Sequence, residues 1–330
     1  MINIGLLGCG RIGQVHGKSV SRSSRARLVA VSDANRQAAD GVAAETGAVV
    51  RSNEEVIADS DITGVIISTP TPTHCDLIET AFANGKAVLC EKPFDMSVTR
   101  IENCLETIKD TSLPLILGFN RRFDPSFAEL QTRLADGEIG GIEMVSIISR
   151  DPQPPSIDYI KSSGGLFRDM MIHDFDMARF LLREEPVEVH AVGSSLVDPD
   201  IGAAGDVDTA CVILKTASGK LCQISNSRQA SYGYDQRIEV HGARGMLRAQ
   251  NIHETTIEIA DQFGFRSDPI QNFFLERYLP AYERELEHLL DCIETGANPS
   301  PDGHDGLRAQ ILADAADRSC KNGEIIKLDI

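Results

Sequence analysis

The fold of the N-terminal half is decided by one stretch, Asn3-Ile4-Gly5-Leu6-Leu7-Gly8-Cys9-Gly10-Arg11-Ile12-Gly13. Its first five residues form the apolar run of a buried strand, and helix-like sequence begins after the glycines. The spacing is GxGxxG, in which the first glycine permits a tight turn, the second admits a ligand close to the backbone, and the third lets helix and strand pack closely. Taken alone, this spacing is weak evidence for a dinucleotide-binding site. Because it comes directly after a strand, it predicts a dinucleotide-binding turn.

Short apolar runs recur through the first 120 residues and alternate with helix-like stretches. This alternation predicts a parallel sheet covered by helices on both faces, because apolar strands of this kind have no solvent-facing side. The predicted strands cover residues 3–7, 28–32, 64–68, 87–90 and 115–118. We therefore predict an α/β chain that begins with a doubly wound Rossmann domain over residues 1–120.

The pattern changes after residue 118, where longer β runs are joined by hairpin-like turns. It predicts an α+β domain over residues 121–330 with a large, mostly antiparallel, open-faced sheet. A chain of 330 residues exceeds the size of one growing core, so two domains and a cleft are expected. Predicted helices cover 125–136, 167–182, 279–294 and 306–320, and predicted strands cover 142–150, 187–197, 209–216, 221–225, 238–241, 256–259 and 325–328.

The second predicted strand ends at Asp33, 20 residues beyond Gly13. A carboxylate there accepts hydrogen bonds from the adenosine ribose and repels a 2′-phosphate, so the cofactor is predicted to be NAD and NADP is less favoured. Together with the glycines, Arg11 and Ile12, Asp33 makes up the predicted cofactor turn. Two alternatives remain: Asp33 only caps a helix starting near Asn35, and Arg36 nearby accommodates a 2′-phosphate.

Two more polar segments follow strands at the same edge of the predicted sheet, where cofactors of doubly wound folds bind. The first is Ser68-Thr69-Pro70-Thr71-Pro72-Thr73-His74, in which Ser68, Thr69, Pro70, Thr73 and His74 are predicted cofactor contacts. A plain helix-start loop explains this segment equally well. The second is Cys90-Glu91-Lys92-Pro93, where Glu91 and Lys92 are predicted cofactor contacts and Lys92 can also stabilise a substrate oxygen as negative charge develops. On local sequence alone Lys92 could equally be a surface lysine.

The densest functional pattern lies in residues 164–180, where Asp169, His173 and Asp176 are spaced i, i+4 and i+7. On one continuous helix these side chains share a face. An imidazole beside a carboxylate suits proton abstraction, because the carboxylate orients the ring and raises its basicity. The alternatives are a structural histidine and a zinc or iron site; no second histidine follows at ligand spacing, so we expect no metal.

Composition limits the partners. The formal net charge is −17 without a basic stripe, so neither nucleic acid nor an anionic membrane is an expected partner. The eight cysteines contain no CxxC pair, and several lie in apolar runs, which indicates reduced thiols. The first predicted strand leaves no room for a signal peptide, and no apolar run could span a bilayer. We expect a cytoplasmic protein.

Taken together, these segments resemble the Gfo/Idh/MocA oxidoreductase family and, within it, inositol 2-dehydrogenases. The resemblance spans the chain and is carried by GCGRIGQVH ending at His16, STPTPTH ending at His74, the EKP motif at 91–93, GFNRRF at 118–123 and GGLFRDMMIHDFDMARF at 164–180. The EKP motif after a Rossmann sheet is quite specific to the family. The last segment is the one most like inositol dehydrogenases.

The resemblance implies a catalytic triad of Lys92, Asp169 and His173 that, with NAD, oxidises a ring hydroxyl of a cyclic polyol, myo-inositol giving 2-keto-myo-inositol (scyllo-inosose). It further implies homodimers or homotetramers formed through the C-terminal sheet. Another inositol isomer, an aldose or an anhydrosugar is the alternative substrate, and a non-catalytic NAD(H)-binding sensor is a less favoured alternative. Implied substrate contacts are Lys92, Arg122, Asp151, Asp169, His173, Asp176 and one of Tyr232 and Tyr234.

Overall fold

The N-terminal strands form a wholly parallel sheet of six strands. A computed structural model describes residues 1–329. The strands are β1 (Ile2–Leu7), β2 (Ala26–Ser32), β3 (Val49–Val50), β4 (Gly64–Ile67), β5 (Ala87–Cys90) and β6 (Leu115–Leu117). Their order in the sheet is β3-β2-β1-β4-β5-β6, so the chain winds outward from β1 in both directions. The predicted doubly wound Rossmann sheet is confirmed.

Helices separate these strands in sequence, and the side chains of some N-cap residues fix where a helix begins. Asn35 caps the second helix by accepting from the N–H groups of Gln37 and Ala38, and Ser52 forms a capping box with Glu55 on the third. These helices are α1 (Arg11–Arg22), α2 (Arg36–Thr46), α3 (Asn53–Ala58), α4 (His74–Ala83) and α5 (Val98–Ile108), with 3₁₀ turns at Thr71–Thr73 and Asn120–Phe123.

A second sheet of seven strands follows, and only its β7–β10 pair is parallel. Its strands are β7 (Ile142–Arg150), β8 (Pro186–Ser194), β9 (Thr209–Thr216), β10 (Leu221–Ser227), β11 (Asp235–Gly242), β12 (Gly245–Ala249) and β15 (Ile326–Lys327), in the order β12-β11-β7-β10-β9-β8-β15. Buried and exposed side chains alternate along β9, so one face of the sheet is packed and the other is open. This confirms the mostly antiparallel, open-faced sheet.

The remaining elements of residues 124–329 are mostly helices. Strands β13 (Glu258–Asp261) and β14 (Gly264–Ser267) form a separate exposed hairpin, so the predicted strand at 256–259 is not part of the large sheet. The helices are α6 (Pro125–Ala135), α7 (Ile157–Ser163), α8 (Gly165–Asp169), α9 (Ile172–Leu182), α10 (Pro199–Ala203), α11 (Phe274–Arg277), α12 (Leu279–Thr295) and α13 (Gly303–Asn322).

The chain divides into two compact units that differ from the predicted 1–120 and 121–330. The first unit is Met1–Phe123 with Leu279–Gln310, and the second is Asp124–Tyr278 with the residues from Ile311 onward. Helix α12 returns to the first unit because Leu286, Leu289 and Leu290 form an apolar stripe buried in the same core as Ile4 and Leu6 of β1. A contiguous boundary could not anticipate this return of the chain.

The predicted helix at 167–182 is not continuous, and this is a correction. It ends as α8 at Asp169 and restarts as α9 at Ile172. Between them the backbone bonds change spacing: the Met171 N–H donates to the Leu166 carbonyl five residues back, and the Asp174 N–H donates to the Met171 carbonyl three residues back. The helical period is therefore interrupted between Asp169 and His173, so the prediction of one continuous helix through both residues was wrong, and their spacing alone does not place the two side chains on one face.

Candidate active site

The glycine turn after β1 has the shape of a dinucleotide cradle. Gly8 has φ +94°, and a Cβ there would lie 2.5 Å from the Ser68 carbonyl carbon. At Gly13 a Cβ would lie 2.1 Å from the Gly8 oxygen, whereas at Gly10 it would meet nothing within 4 Å. The first and third glycines are thus required by packing within the protein. The second leaves open space of the kind that a ligand approaching the backbone needs.

Helix α1 points its positive end at this open space. Gly10 is its N-cap, with no side-chain capping bond and no acidic residue in the first turn. Arg11 is exposed and Ile12 is half-buried at the start of the helix. Because a helix N-terminus offers backbone N–H groups to an anion, this arrangement fits the pyrophosphate of a dinucleotide.

Asp33 binds the glycine turn directly. Its carboxylate accepts from the Cys9 N–H at 2.6 Å and from the Asn35 N–H at 2.7 Å. The capping role on α2 belongs to the Asn35 side chain, so capping alone does not account for Asp33. Arg36 is exposed and pairs with Asp40 at 2.8 Å.

His74 joins the two other predicted cofactor segments. Its ring nitrogens lie 2.8 Å from the Thr69 carbonyl oxygen and 2.9 Å from that of Pro93. Burial lowers the pKa of His74, although the two carbonyls oppose that shift. The Ser68 hydroxyl donates to the Gly8 carbonyl at 2.8 Å, which fixes the first segment against the glycine turn. His74 therefore acts within the protein as a brace between Thr69 and the EKP motif.

Glu91 is directed into the interior of the first unit. Its Oε1 lies 2.7 Å from Nε2 of His16 on α1, and the side chain of Glu285 on α12 completes a buried group whose ligand-type atoms lie within 4.8 Å of one another. Both Glu285 oxygens lack a hydrogen-bond partner among the described residues. Burial, and then the charge of Glu91, raises the pKa of Glu285 well above its usual value. Lys92, the next residue after Glu91, is half-buried.

His16 and Glu285 are functional candidates that the sequence reasoning missed. His16 closes the segment GCGRIGQVH, but nothing local relates it to the EKP motif. Glu285 gave a weak signal: it is an acidic residue beside the apolar stripe of α12 at 286, 289 and 290, where a carboxylate is out of place.

In the second unit, Asp169 and His173 lie on either side of the α8–α9 break. Both are partly accessible, so neither side chain is sealed in the core. The Tyr159 hydroxyl donates to Oδ1 of Asp169 at 2.9 Å, and Nη1 of Arg228 lies 3.5 Å from Oδ2. Tyr159 and Arg228 come from α7 and from the end of β10, positions that residue spacing does not relate to Asp169.

The other predicted substrate residues differ in burial and in whether they form ion pairs. Arg122, in the first unit, is buried and its guanidinium contacts Asp305 at 2.9 and 3.1 Å. Asp176 is buried with Arg179 at 3.6 Å. Asp151 lies directly after β7 and is half-buried.

The two candidate tyrosines have different environments. The Tyr232 hydroxyl donates to Asp235 at 2.6 Å, and the side chain is half exposed. Tyr234 is buried, with its ring edge-on to the ring of Tyr278 at 5.9 Å between centroids. They flank Gly233, whose φ of +121° sets the turn before β11. Of these two tyrosines, Tyr232 is the one that is open to solvent.

Comparison with known proteins identifies the family. The model of an oxidoreductase family with an NAD-binding Rossmann fold matches residues 2–119, and that of the Gfo/Idh/MocA C-terminal domain matches residues 127–248. The chain belongs to the Gfo/Idh/MocA oxidoreductase family. The resemblance predicted from the motifs is confirmed. Within residues 1–329, this oxidoreductase has no helix long and apolar enough to cross a membrane.

Relatives of this Gfo/Idh/MocA oxidoreductase match it from end to end. Inositol 2-dehydrogenase of Rhizobium meliloti (strain 1021) is 54% identical over 318 residues, 96% of each chain. A myo-inositol dehydrogenase from Corynebacterium glutamicum ATCC 13032 has a crystal structure with TM-score 0.96 and 44% identity, covering 100% of this chain and 99% of that one. A scyllo-inositol dehydrogenase from Lactobacillus casei, with bound NAD(H) and scyllo-inositol, has TM-score 0.93 and 28% identity over 99% of each chain.

Proposed function

We propose that this oxidoreductase uses NAD to oxidise one ring hydroxyl of myo-inositol and releases 2-keto-myo-inositol. The observation that carries the proposal is the 54% identity with an inositol 2-dehydrogenase over 96% of both chains. That span includes the segment containing Asp169 and His173, and the family match over residues 2–119 includes the glycine turn. The first unit supports it with a turn of the shape that a dinucleotide needs, and in the second unit Asp169 and His173 are both partly accessible, as residues that act on a substrate must be.

The glycine turn, the N-terminus of α1 and Asp33 would hold NAD, whose nicotinamide accepts hydride from the substrate carbon when it is bound. The open space at Gly10 is the feature of this structure that fits the pyrophosphate. Preference for NAD over NADP follows from Asp33, whose carboxylate stands at the end of β2 where a 2′-phosphate would be repelled. Arg36 does not offset this, because its guanidinium pairs with Asp40.

The chain's own residues perform the proton chemistry. His173 takes the proton from the substrate hydroxyl, and Asp169 orients the imidazole and stabilises its charged form. Lys92 donates a hydrogen bond to the same oxygen as it becomes a carbonyl. Arg122, Asp151, Asp176 and Tyr232 are the proposed contacts with the remaining hydroxyls. Tyr234, being buried, is a proposed support for that tyrosine turn.

The second candidate substrate is scyllo-inositol, favoured by the structural match to an enzyme that holds this isomer and NAD(H). It differs from myo-inositol at a single ring carbon, so the same donors and acceptors serve both. The same catalytic groups would also suit an aldose or an anhydrosugar. An NAD(H)-binding sensor without turnover is opposed by the presence of Lys92, Asp169 and His173.

One experiment tests the activity and the role of His173 together. Initial rates of NADH formation are measured over myo-, scyllo- and chiro-inositol, glucose and levoglucosan, with NAD and with NADP, for the wild type and for His173→Ala. We expect the highest kcat/KM for myo-inositol with NAD, and a fall in kcat of about a thousandfold or more in the variant with NADH binding retained. No oxidation of any polyol, or wild-type turnover by His173→Ala, contradicts the proposal.

We also propose that the protein is a homodimer or homotetramer associated through the open face of its second sheet, and that it works in the cytoplasm. Residues paired directly across neighbouring strands have side chains on the same face of a sheet. Lys215, Leu221 and Met144 are paired in this way across β9, β10 and β7, and they lie on the open face. Ile213 and Val192 lie on the same face and are exposed. All eight cysteines are free thiols, which suits a reducing compartment.

A further inference from the structure

Arg228 is a buried cation with an unusual set of neighbours. It follows β10, and its side chain is about 1% exposed. Its Nε and Nη2 atoms have no hydrogen-bond partner among the described residues. Removing a guanidinium from water is costly unless carboxylates compensate it, and each buried donor without a partner requires an explanation.

Two carboxylates compensate Arg228, and they stand at the two ends of helix α8. Nη1 lies 3.5 Å from Oδ2 of Asp169 at the end of the helix, and Nη2 lies 3.7 Å from Oδ2 of Asp206. Asp206 accepts from the Leu166 N–H at 3.0 and 3.1 Å, which holds the start of the helix. Both ion contacts are too long for hydrogen bonds, so Arg228 acts on the carboxylates mainly through its charge.

We propose that Arg228 is a positioning residue that maintains Asp169 as a carboxylate while His173 takes up the substrate proton. This inference rests on the proposed function of the Asp169–His173 pair. When no cation is near, a carboxylate beside a protonated imidazole takes a larger share of the imidazole's proton. The pair then releases that proton only at higher pH. The charge of Arg228, close to Oδ2 of Asp169, opposes protonation of that carboxylate. The Tyr159 hydroxyl donates to the other oxygen, Oδ1.

Other charged groups around Arg228 do not replace it. The carboxylate of Asp206 partly neutralises the same guanidinium, so it weakens the electrostatic effect of Arg228 on Asp169. Asp208, whose carbonyl accepts from the Arg228 N–H, has its carboxylate held by the N–H groups of Leu196, Val197 and Asp198. Tyr159 of α7 and Arg228 after β10 contact Asp169 from neighbouring elements, and Asp206 acts on it through Arg228.

The test is the pH dependence of kcat for myo-inositol oxidation at saturating NAD, measured for Arg228→Met, Arg228→Lys and Asp206→Asn. Removing the cation moves the rising limb of kcat to higher pH by roughly half a unit or more, and removing the competing anion moves it to lower pH. Arg228→Lys keeps the charge and therefore keeps the wild-type midpoint. NADH binding by fluorescence and thermal melting report whether each variant is folded.

Shifts of opposite sign in Arg228→Met and Asp206→Asn support the inference, because loss of packing would not reverse direction between the two. A lower kcat with an unmoved midpoint in Arg228→Met, or shifts of the same sign in both, overturns it. If Arg228→Met does not fold, the folded Asp206→Asn decides: a downward shift supports the role and an unchanged profile overturns it. Turnover by His173→Ala would instead show that the proposed function had failed.

Discussion

At the scale of single residues, two glycines of one turn have different tasks. A Cβ at Gly13 would overlap the Gly8 carbonyl oxygen at 2.1 Å, whereas a Cβ at Gly10 would enter open space. Gly13 is therefore required by the fold of the turn itself. Gly10 is required only when a ligand occupies the space beside it.

We expect Gly13→Ala to lower the free energy of unfolding by about 1–3 kcal/mol, because the clash is with backbone that cannot rotate away. Gly10→Ala should change the free energy of unfolding by less than about 1 kcal/mol but weaken NADH binding tenfold or more, because the methyl group occupies the cradle. Urea unfolding and NADH fluorescence titration measure the two effects. Unchanged NADH affinity in a folded Gly10→Ala would contradict the cradle.

At the residue scale, the sequence identified positions that follow directly from strand ends. The structure connects Asp33 to the glycine turn through the Cys9 N–H, while the roles of Asp33 toward the cofactor and of Lys92 toward the substrate stay predictions. The contacts of His74 and Glu91 were not foreseen, since each binds a partner from another segment: His74 the Pro93 carbonyl and Glu91 the ring of His16. Both side chains are buried and connect segments of the first unit, and their contact with a cofactor stays a prediction.

At the scale of elements, helix α12 carries a carboxyl group into the core of the first unit. Glu285 is fully buried near Glu91 and His16, and burial raises its pKa well above the usual value. The folded protein therefore retains a proton that the unfolded chain releases at the ordinary value of about 4.3. The contribution of this group to stability is fully present below that pH and is lost progressively as pH rises from there through the raised pKa of the folded state.

Glu285→Gln should consequently be more stable than the wild type at neutral and alkaline pH, with a difference that shrinks as pH falls toward 4.5. The amide has the shape of the protonated acid and no proton to lose. Thermal melting between pH 4.5 and 9 measures the difference, expected to be a few degrees at pH 8. Glu283→Gln, on the exposed side of the same helix, is the matched control and should follow the wild-type curve. A difference that does not vary with pH would contradict a protonated Glu285.

The break between α8 and α9 is another property of elements rather than residues. Periodicity predicted one helix because the residues from 167 to 182 are compatible with a helix throughout. What interrupts it is anchoring at both ends of α8: Asp206 accepts from the Leu166 N–H at its start, and Tyr159 with Arg228 holds Asp169 at its end. These tertiary contacts outweigh the helical propensity of the residues between them, so the helix breaks.

At the scale of the whole molecule, the open face of the second sheet makes a prediction about assembly. Ile213 lies in the middle of this face on β9 and is 43% exposed. We expect Ile213→Glu to convert a dimer or tetramer into smaller species, because a buried charge in an apolar interface costs several kcal/mol. Sedimentation velocity measures the mass. Leu196→Glu, a substitution of a 76% exposed apolar residue outside the sheet, should leave the mass unchanged; equal masses for wild type and Ile213→Glu would rule out this face.

The sequence by itself determined the two kinds of sheet, the glycine turn, the acidic character and the family, because these depend on residue type and on spacing within short segments. Only the tertiary structure decided that α12 returns to the first unit, that the 167–182 helix is broken, that Arg228 faces Asp169 and that Glu285 faces Glu91. These features arise from contacts between segments far apart in the chain, such as Arg228 with Asp169, whose energy depends on burial and distance. No local spacing encodes either quantity.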